Sequence, residues 1–173
     1  MIERSLNEAT FYSLPDSYLH FARQACSLEP WRFHLLSLDN CPVKTQVEFR
    51  STKFPPYDGE QEQINPSLWG KRLAEYLVQK LRERGIETEE IIAEDWGWYI
   101  PVPNEEFRVA LCCGHQDGDN DEFLVFTDPS TPVVKKLFKK IDATAQLTRL
   151  TDALQQILSS DKDIKDIVWT DSR

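Results

Sequence analysis

The hydrophobic pattern of the chain becomes regular only after residue 42. Between residues 44 and 51, apolar Val47 and Phe49 alternate with charged Glu48 and Arg50. Alternation with a period of two is typical of a β-strand that is buried on one face. The pattern therefore predicts that a folded domain begins near Val43 with a strand.

An amphipathic helix is predicted next. Apolar residues recur at helical spacing from Leu68 to Leu81,. Asn65-Pro66 supplies an N-cap and a first-turn proline, and Gly85 supplies a left-handed C-terminal cap,. This helix is the best-defined element in the sequence.

The rest of the chain combines short β segments with two further amphipathic stretches. Segment 86–94 has a weak β tendency, strands are predicted at 95–102, 107–113, 123–126 and 164–169, and helices are predicted at 133–140 and 147–158,. Strands joined by hairpins favour an antiparallel sheet. We therefore expect an α+β fold with two layers, in which helices cover one face of a mostly antiparallel sheet, in the order β-α-β-β-β-α-α-β.

Residues 1–42 differ from this domain, because they contain no glycine and no sustained period. Val43 can correspond to an alternative bacterial start codon, so one hypothesis is that 1–42 is an irregular extension created by an upstream start site. The other is a packed N-terminal segment, since it carries Phe11, Tyr12, Phe21, Trp31 and Phe33. The domain organisation expected is an extension at 1–42 and a single α+β domain at 43–173.

Composition and charge narrow the function classes. The 173 residues contain 20 Lys and Arg against 29 Asp and Glu, which gives a net charge of −9. This acidity argues against nucleic-acid binding and favours fast association with a basic partner. No run approaches the roughly 18 apolar residues that span a bilayer, so no membrane partner is expected. Four cysteines without a CxxC pair, and no apolar leader, indicate a reducing cytoplasm,.

The sequence Glu94-Asp95-Trp96-Gly97-Trp98 is the most unusual local feature. In a strand, both indoles would lie on one face with a backbone gap at Gly97 between them. One interpretation is a surface that binds a partner or ligand through Glu94, Asp95, Trp96 and Trp98. The other is a face on which a helix packs, with a bend at Gly97.

The EDWGW run, within the segment 72–102, resembles a group of small uncharacterised bacterial domains. The resemblance extends from about residue 47 to residue 169. It implies a bacterial origin and a small α+β fold, and it implies no activity.

Two other clusters invite metal or nucleophile chemistry. Asp117, Asp119 and Asp121 have the spacing of a calcium loop, but Glu122 stands where the loop requires Gly,. A solvated hairpin turn without metal is expected there. Cys112, Cys113 and His115 are too close together for a zinc site, and buried strand cysteines are the commoner arrangement,. Whether these thiols react is left open by the sequence.

The lysines at 135, 136, 139 and 140 are expected to form a solvated helix face, with phosphate or an acidic partner as the alternative,. No phosphate loop or catalytic motif is recognisable, and no cofactor is expected. The function favoured is a small acidic bacterial module that binds a basic protein, as toxin-immunity proteins do. The alternatives are a ligand-binding domain or enzyme with a pocket near Trp96 and Trp98, and a structural protein that forms homo-oligomers.

Overall fold

The computed structural model describes residues 43–116, 118–136 and 138–171. All of them belong to one compact unit, 41–173. The hypotheses about residues 1–42, the cysteines in that segment, and Asp117 lie outside the described residues.

Two α-helices and eight β-strands form the fold of the described residues. They are β1 (Gln46–Arg50), α1 (Lys71–Arg82), β2 (Ile92–Glu94), β3 (Gly97–Val102), β4 (Val109–His115), β5 (Glu122–Asp128), β6 (Val133–Lys136), β7 (Lys139–Asp142), α2 (Thr144–Ser160) and β8 (Lys165–Thr170). A six-stranded antiparallel sheet has the order β2-β3-β4-β5-β1-β8, and β6 pairs with β7 in a separate hairpin. The α+β class with a mostly antiparallel sheet is therefore confirmed.

The core lies between one face of the large sheet and the two helices. A buried row crosses four strands, because Trp98 is paired with Cys113, Cys113 with Val125, and Val125 with Val47. Helix α1 packs on β3 and β4, and α2 packs against α1. The alternation of side chains along the strands directs this row toward the helices.

The predicted helix over 133–140 is wrong, since the structure has the β6–β7 hairpin there. Val134 and Ile141 are partners across the hairpin, and both pack against the main core. β-Branched residues fit such a half-buried pleated surface. The lysine spacing imitated a helix face, but the packing of the valine and isoleucine decided the local structure.

Helix α1 begins at Lys71, five residues after the proline that the sequence suggested. The N-cap residue is Gly70, which has no side chain that could cap the helix. Instead, the backbone amides of Gly70 and Lys71 donate to the carboxylate of Glu60. The C-terminal cap at Gly85 is as predicted, with a φ of 70°.

Candidate binding edge around the EDWGW segment

The two tryptophans of the EDWGW segment lie on opposite sides of the sheet. Trp98 is 3% exposed and belongs to the main core. Trp96 is 38% exposed, and its ring lies 5.6 Å from that of Phe126, which packs against the small cluster on the other face. The expectation that both share one face is wrong, because β3 begins at Gly97 and Trp96 lies in the preceding turn. A pocket that uses both indoles is therefore not formed.

Trp98 is held by a buried carboxylate. Its Nε1 donates to Oε1 of Glu60 at 2.8 Å, and the amides of Gly70 and Lys71 donate to the same oxygen at 2.7 Å. The amide of Tyr57 donates to Oε2 at 2.9 Å. Glu60 is only 1% exposed. Four donors and the positive end of α1 stabilise the buried carboxylate at this position.

Gly97 permits close contact between β3 and β4. A Cβ at this position would lie 2.7 Å from the carbonyl oxygen of Cys113, and φ is 148°, a conformation that favours glycine,. The start of α1 also lies close to β4, because a Cβ on Gly70 would lie 2.9 Å from Cα of Gly114. Gly97 and Trp98 therefore have structural roles, and the packing interpretation of the motif applies to this half of it.

The other half of the motif lies at the edge of the sheet that the described strands form. Among the described residues, strand β2 pairs only with β3, and all three of its residues are exposed. We define the acidic edge as residues 87–96. Its exposed carboxylates are those of Glu87, Glu89, Glu90, Glu94 and Asp95, and its exposed large apolar side chains are those of Ile92 and Trp96.

The carboxylates of the acidic edge are not neutralised within the described part of the chain, where none of them forms an ion pair. The turn that carries two of the motif residues is fixed in place, because the amide of Asn65 donates to the carbonyl of Asp95 at 3.2 Å. The structure thus brings Glu94, Asp95 and Trp96 together on one exposed edge and places Trp98 in the core.

A groove of about 790 Å³ adjoins the acidic edge, which contributes Glu89 and Ile92 to its lining. In the groove, Arg108 donates to the hydroxyl of Tyr99 at 3.2 Å, and that hydroxyl lies 3.3 Å from Oδ2 of Asp128 and donates to it. Burial raises the pKa of Tyr99, so the phenol stays protonated and keeps its donor role. A partner bound on the edge can place a side chain in this groove.

The adjacent cysteines point to opposite faces, as a strand requires. Cys113 lies in the main core and Cys112 in the small cluster on the other face, and both thiols are buried. Burial raises the pKa of Cys112 to about 12 and also raises the pKa of Cys113. A thiol that stays protonated at neutral pH is a poor nucleophile.

His115 packs against an aromatic ring and a loop carbonyl. Its ring stacks on Trp69 with centroids 3.4 Å apart, and its Nε2 lies 3.1 Å from the carbonyl oxygen of Asp119. Within the described ranges, no three His, Cys, Asp or Glu side chains are placed to hold a metal ion.

The acidic loop before β5 is organised by an arginine. Arg50 pairs with Asp121 and Glu122 at 3.1 Å, and it also pairs with Asp119. The hydrogen bonds to Asp121 and then Asp119 raise the pKa of Arg50 above its ordinary value. The guanidinium occupies the side of these carboxylates that a cation would otherwise approach.

Sequence reasoning missed two parts of this region. The sequence did contain a signal for an acidic strand edge, because five of the nine residues 87–95 are acidic and lie around Ile91 and Ile92. Glu60 had no such sign, since it is one of several charged residues in a loop and only the fold shows its burial.

Comparison of the chain with protein-family models, with curated proteins and with solved structures gave no match. The resemblance carried by the EDWGW run stays a prediction. No helix among the described residues has the length and apolar character needed to cross a membrane.

Proposed function

We propose that this protein is a bacterial, cytoplasmic protein-binding module that captures a basic partner along the acidic edge, in the manner of the immunity proteins that neutralise toxins. One observation carries the proposal. Within the described residues, the acidic edge, which includes the edge strand β2, presents five exposed carboxylates that have no ion-pair partner, beside the exposed side chains of Ile92 and Trp96.

Charges on an edge strand also have a simpler role, because they prevent one sheet from pairing with another. That role accounts for the carboxylates. It does not account for exposed apolar groups next to them, since Ile92 is 46% exposed and Trp96 is 38% exposed. An aromatic side chain surrounded by charge is the composition of a binding hot spot.

The carboxylates would act mainly on the rate and specificity of association. A cluster of one sign attracts a partner of the opposite sign over roughly 10 Å at ordinary ionic strength. Trp96, supported by Phe126, would then supply apolar contact area at the centre of the interface,. A partner that approaches as an extended strand can add to β2, whose outer side has no strand neighbour among the described residues,.

Affinity capture from a lysate of the source cells at low salt tests the proposal. The bait is the full chain as wild type and as an edge variant with Glu89→Gln, Glu90→Gln, Glu94→Gln and Asp95→Asn. We expect wild type to retain a basic protein and the edge variant to lose it. Trp96→Ala is expected to weaken retention without changing the charge.

A matched control variant removes four exposed acids elsewhere, with Asp58→Asn, Glu62→Gln, Asp152→Asn and Asp163→Asn. The proposal requires that this variant retain the partner. Equal loss from both variants would show that only net charge matters, and the absence of any basic protein on wild type would remove the proposal.

A further inference from the structure

The β6–β7 hairpin ends in an exposed aromatic residue surrounded by lysines. Phe138, at the turn, is fully exposed. Across the two strands, Lys135 is paired with Lys140, and Lys136 is paired with Lys139. We call residues 133–136 and 138–142 the lysine hairpin.

Like charges that lie directly opposite each other destabilise a strand pair. None of the four lysines forms an ion pair within the described residues. The ammonium of Lys136 instead donates to the carbonyl oxygen of Glu106 at 2.7 Å. Carboxylates are plentiful in a chain with a net charge of −9, so this concentration of unneutralised cations points to an anionic ligand.

The two lysine pairs lie on opposite faces of the hairpin. Side chains alternate along a strand, so Lys135 and Lys140 share one face while Lys136 and Lys139 share the other,. A partner that lies against one face of the hairpin would contact only one of the two lysine pairs. A surface that surrounds the tip would contact both pairs at once.

The residues of the turn fit the same kind of surface. Two-residue hairpin turns favour Asn-Gly and similar polar pairs. Here the described residue of the turn is Phe138, which is apolar and fully exposed. An apolar tip with cations around it matches the interface of an anionic bilayer, where apolar side chains enter the headgroup boundary and lysines reach the phosphates.

We propose that the lysine hairpin attaches this protein to the surface of an anionic lipid bilayer, with Phe138 inserted among the headgroups and the four lysines on lipid phosphates. This is surface attachment without a spanning segment. It revises the expectation of no membrane partner, which depended only on the absence of a long apolar run. The proposal uses different residues from the acidic edge and does not depend on the proposed function.

Co-sedimentation of the full chain with vesicles at low salt tests the proposal. One set of vesicles is pure phosphatidylcholine, and the other contains phosphatidylserine as well. We expect binding only to the phosphatidylserine vesicles, and we expect added salt to weaken it. Lys135→Gln with Lys140→Gln should reduce the affinity by about tenfold or more. Phe138→Ala should reduce it by about tenfold, whereas Phe138→Leu should retain it.

The matched control is Lys162→Gln with Lys165→Gln, which removes two exposed lysines outside the hairpin and should leave binding unchanged. No binding of wild type to phosphatidylserine vesicles would overturn the proposal. So would an equal loss in the control variant. Lysine-dependent binding to a single-stranded oligonucleotide or to polyglutamate, without binding to vesicles, would assign the hairpin to another class of partner and also overturn it.

Discussion

Glu60 and Trp98 are joined by a hydrogen bond of 2.8 Å between the indole Nε1 and the carboxylate Oε1, in a site where both side chains are buried. The same oxygen accepts the first amides of α1. One carboxylate therefore fixes the start of the helix and the position of β3 together. This contact makes Trp98 a structural residue and leaves Trp96 as the tryptophan of the motif that can meet a partner.

Glu60→Ala should destabilise the domain strongly. It leaves the donors of Tyr57, Gly70, Lys71 and Trp98 without their acceptor, and we expect a loss of about 2–4 kcal/mol in the free energy of unfolding,. Urea denaturation measures the loss. Glu62→Ala, an exposed neighbour in the same turn, is the control and should change stability by less than about 0.5 kcal/mol,.

The two tryptophans should respond differently to truncation. Trp98→Ala creates a cavity in the core and should lower the free energy of unfolding by roughly 3–5 kcal/mol,. Trp96→Ala should lower it by about 1 kcal/mol or less, because that ring is 38% exposed,. Chemical denaturation of the two variants beside wild type gives both values. A loss below about 0.5 kcal/mol for Trp98→Ala would contradict the packing described here.

Gly97→Ala should destabilise the domain by more than about 2 kcal/mol, since the added methyl would meet the carbonyl of Cys113 and φ is unfavourable for alanine,. Gly85→Ala is a comparison in which a positive φ opposes the methyl group but no clash does. Gly85 also has a positive φ, of 70°, but nothing lies within 4 Å of an added Cβ. Thermal melting should therefore show a larger decrease for Gly97→Ala, and equal decreases would contradict the clash.

Stability should fall at alkaline pH because of the buried thiols. Below the ordinary thiol pKa, both states of the protein keep the proton. Above it, the unfolded chain releases the proton, while folded Cys112 keeps it up to about pH 12. Each such thiol lowers the free energy of unfolding by about 1.4 kcal/mol per pH unit in this interval. Urea denaturation from pH 7 to pH 10 measures the slope, and Cys112→Ala should make it shallower.

Periodicity predicted the parts of the fold that local chemistry determines. The helix that became α1 combined an apolar stripe with Gly85 as its C-terminal cap, and both features are present. Its first residue was misplaced because the true cap is the side chain of Glu60, ten residues before Gly70. A cap supplied from a distant loop leaves no signal near the helix.

Tertiary contacts determined the parts that the sequence did not show. Lys135 to Lys140 has a pattern that suits either a helix or a hairpin, and the packing of Val134 and Ile141 on the core selects the hairpin. Tertiary structure also determined which residues of the candidate site lie together. Glu94, Asp95 and Trp96 are exposed on the edge as a binding surface requires, whereas a turn before Gly97 separates Trp98 from them.

Hydrogen–deuterium exchange of the full chain, free and bound to the captured basic protein, tests the acidic edge as a binding site most directly. We expect binding to slow exchange of the backbone amides in residues 92–96 and to leave the opposite edge strand, β8, unchanged. Protection confined to β8 or α2, with unchanged exchange at residues 92–96, would contradict a binding site on the acidic edge.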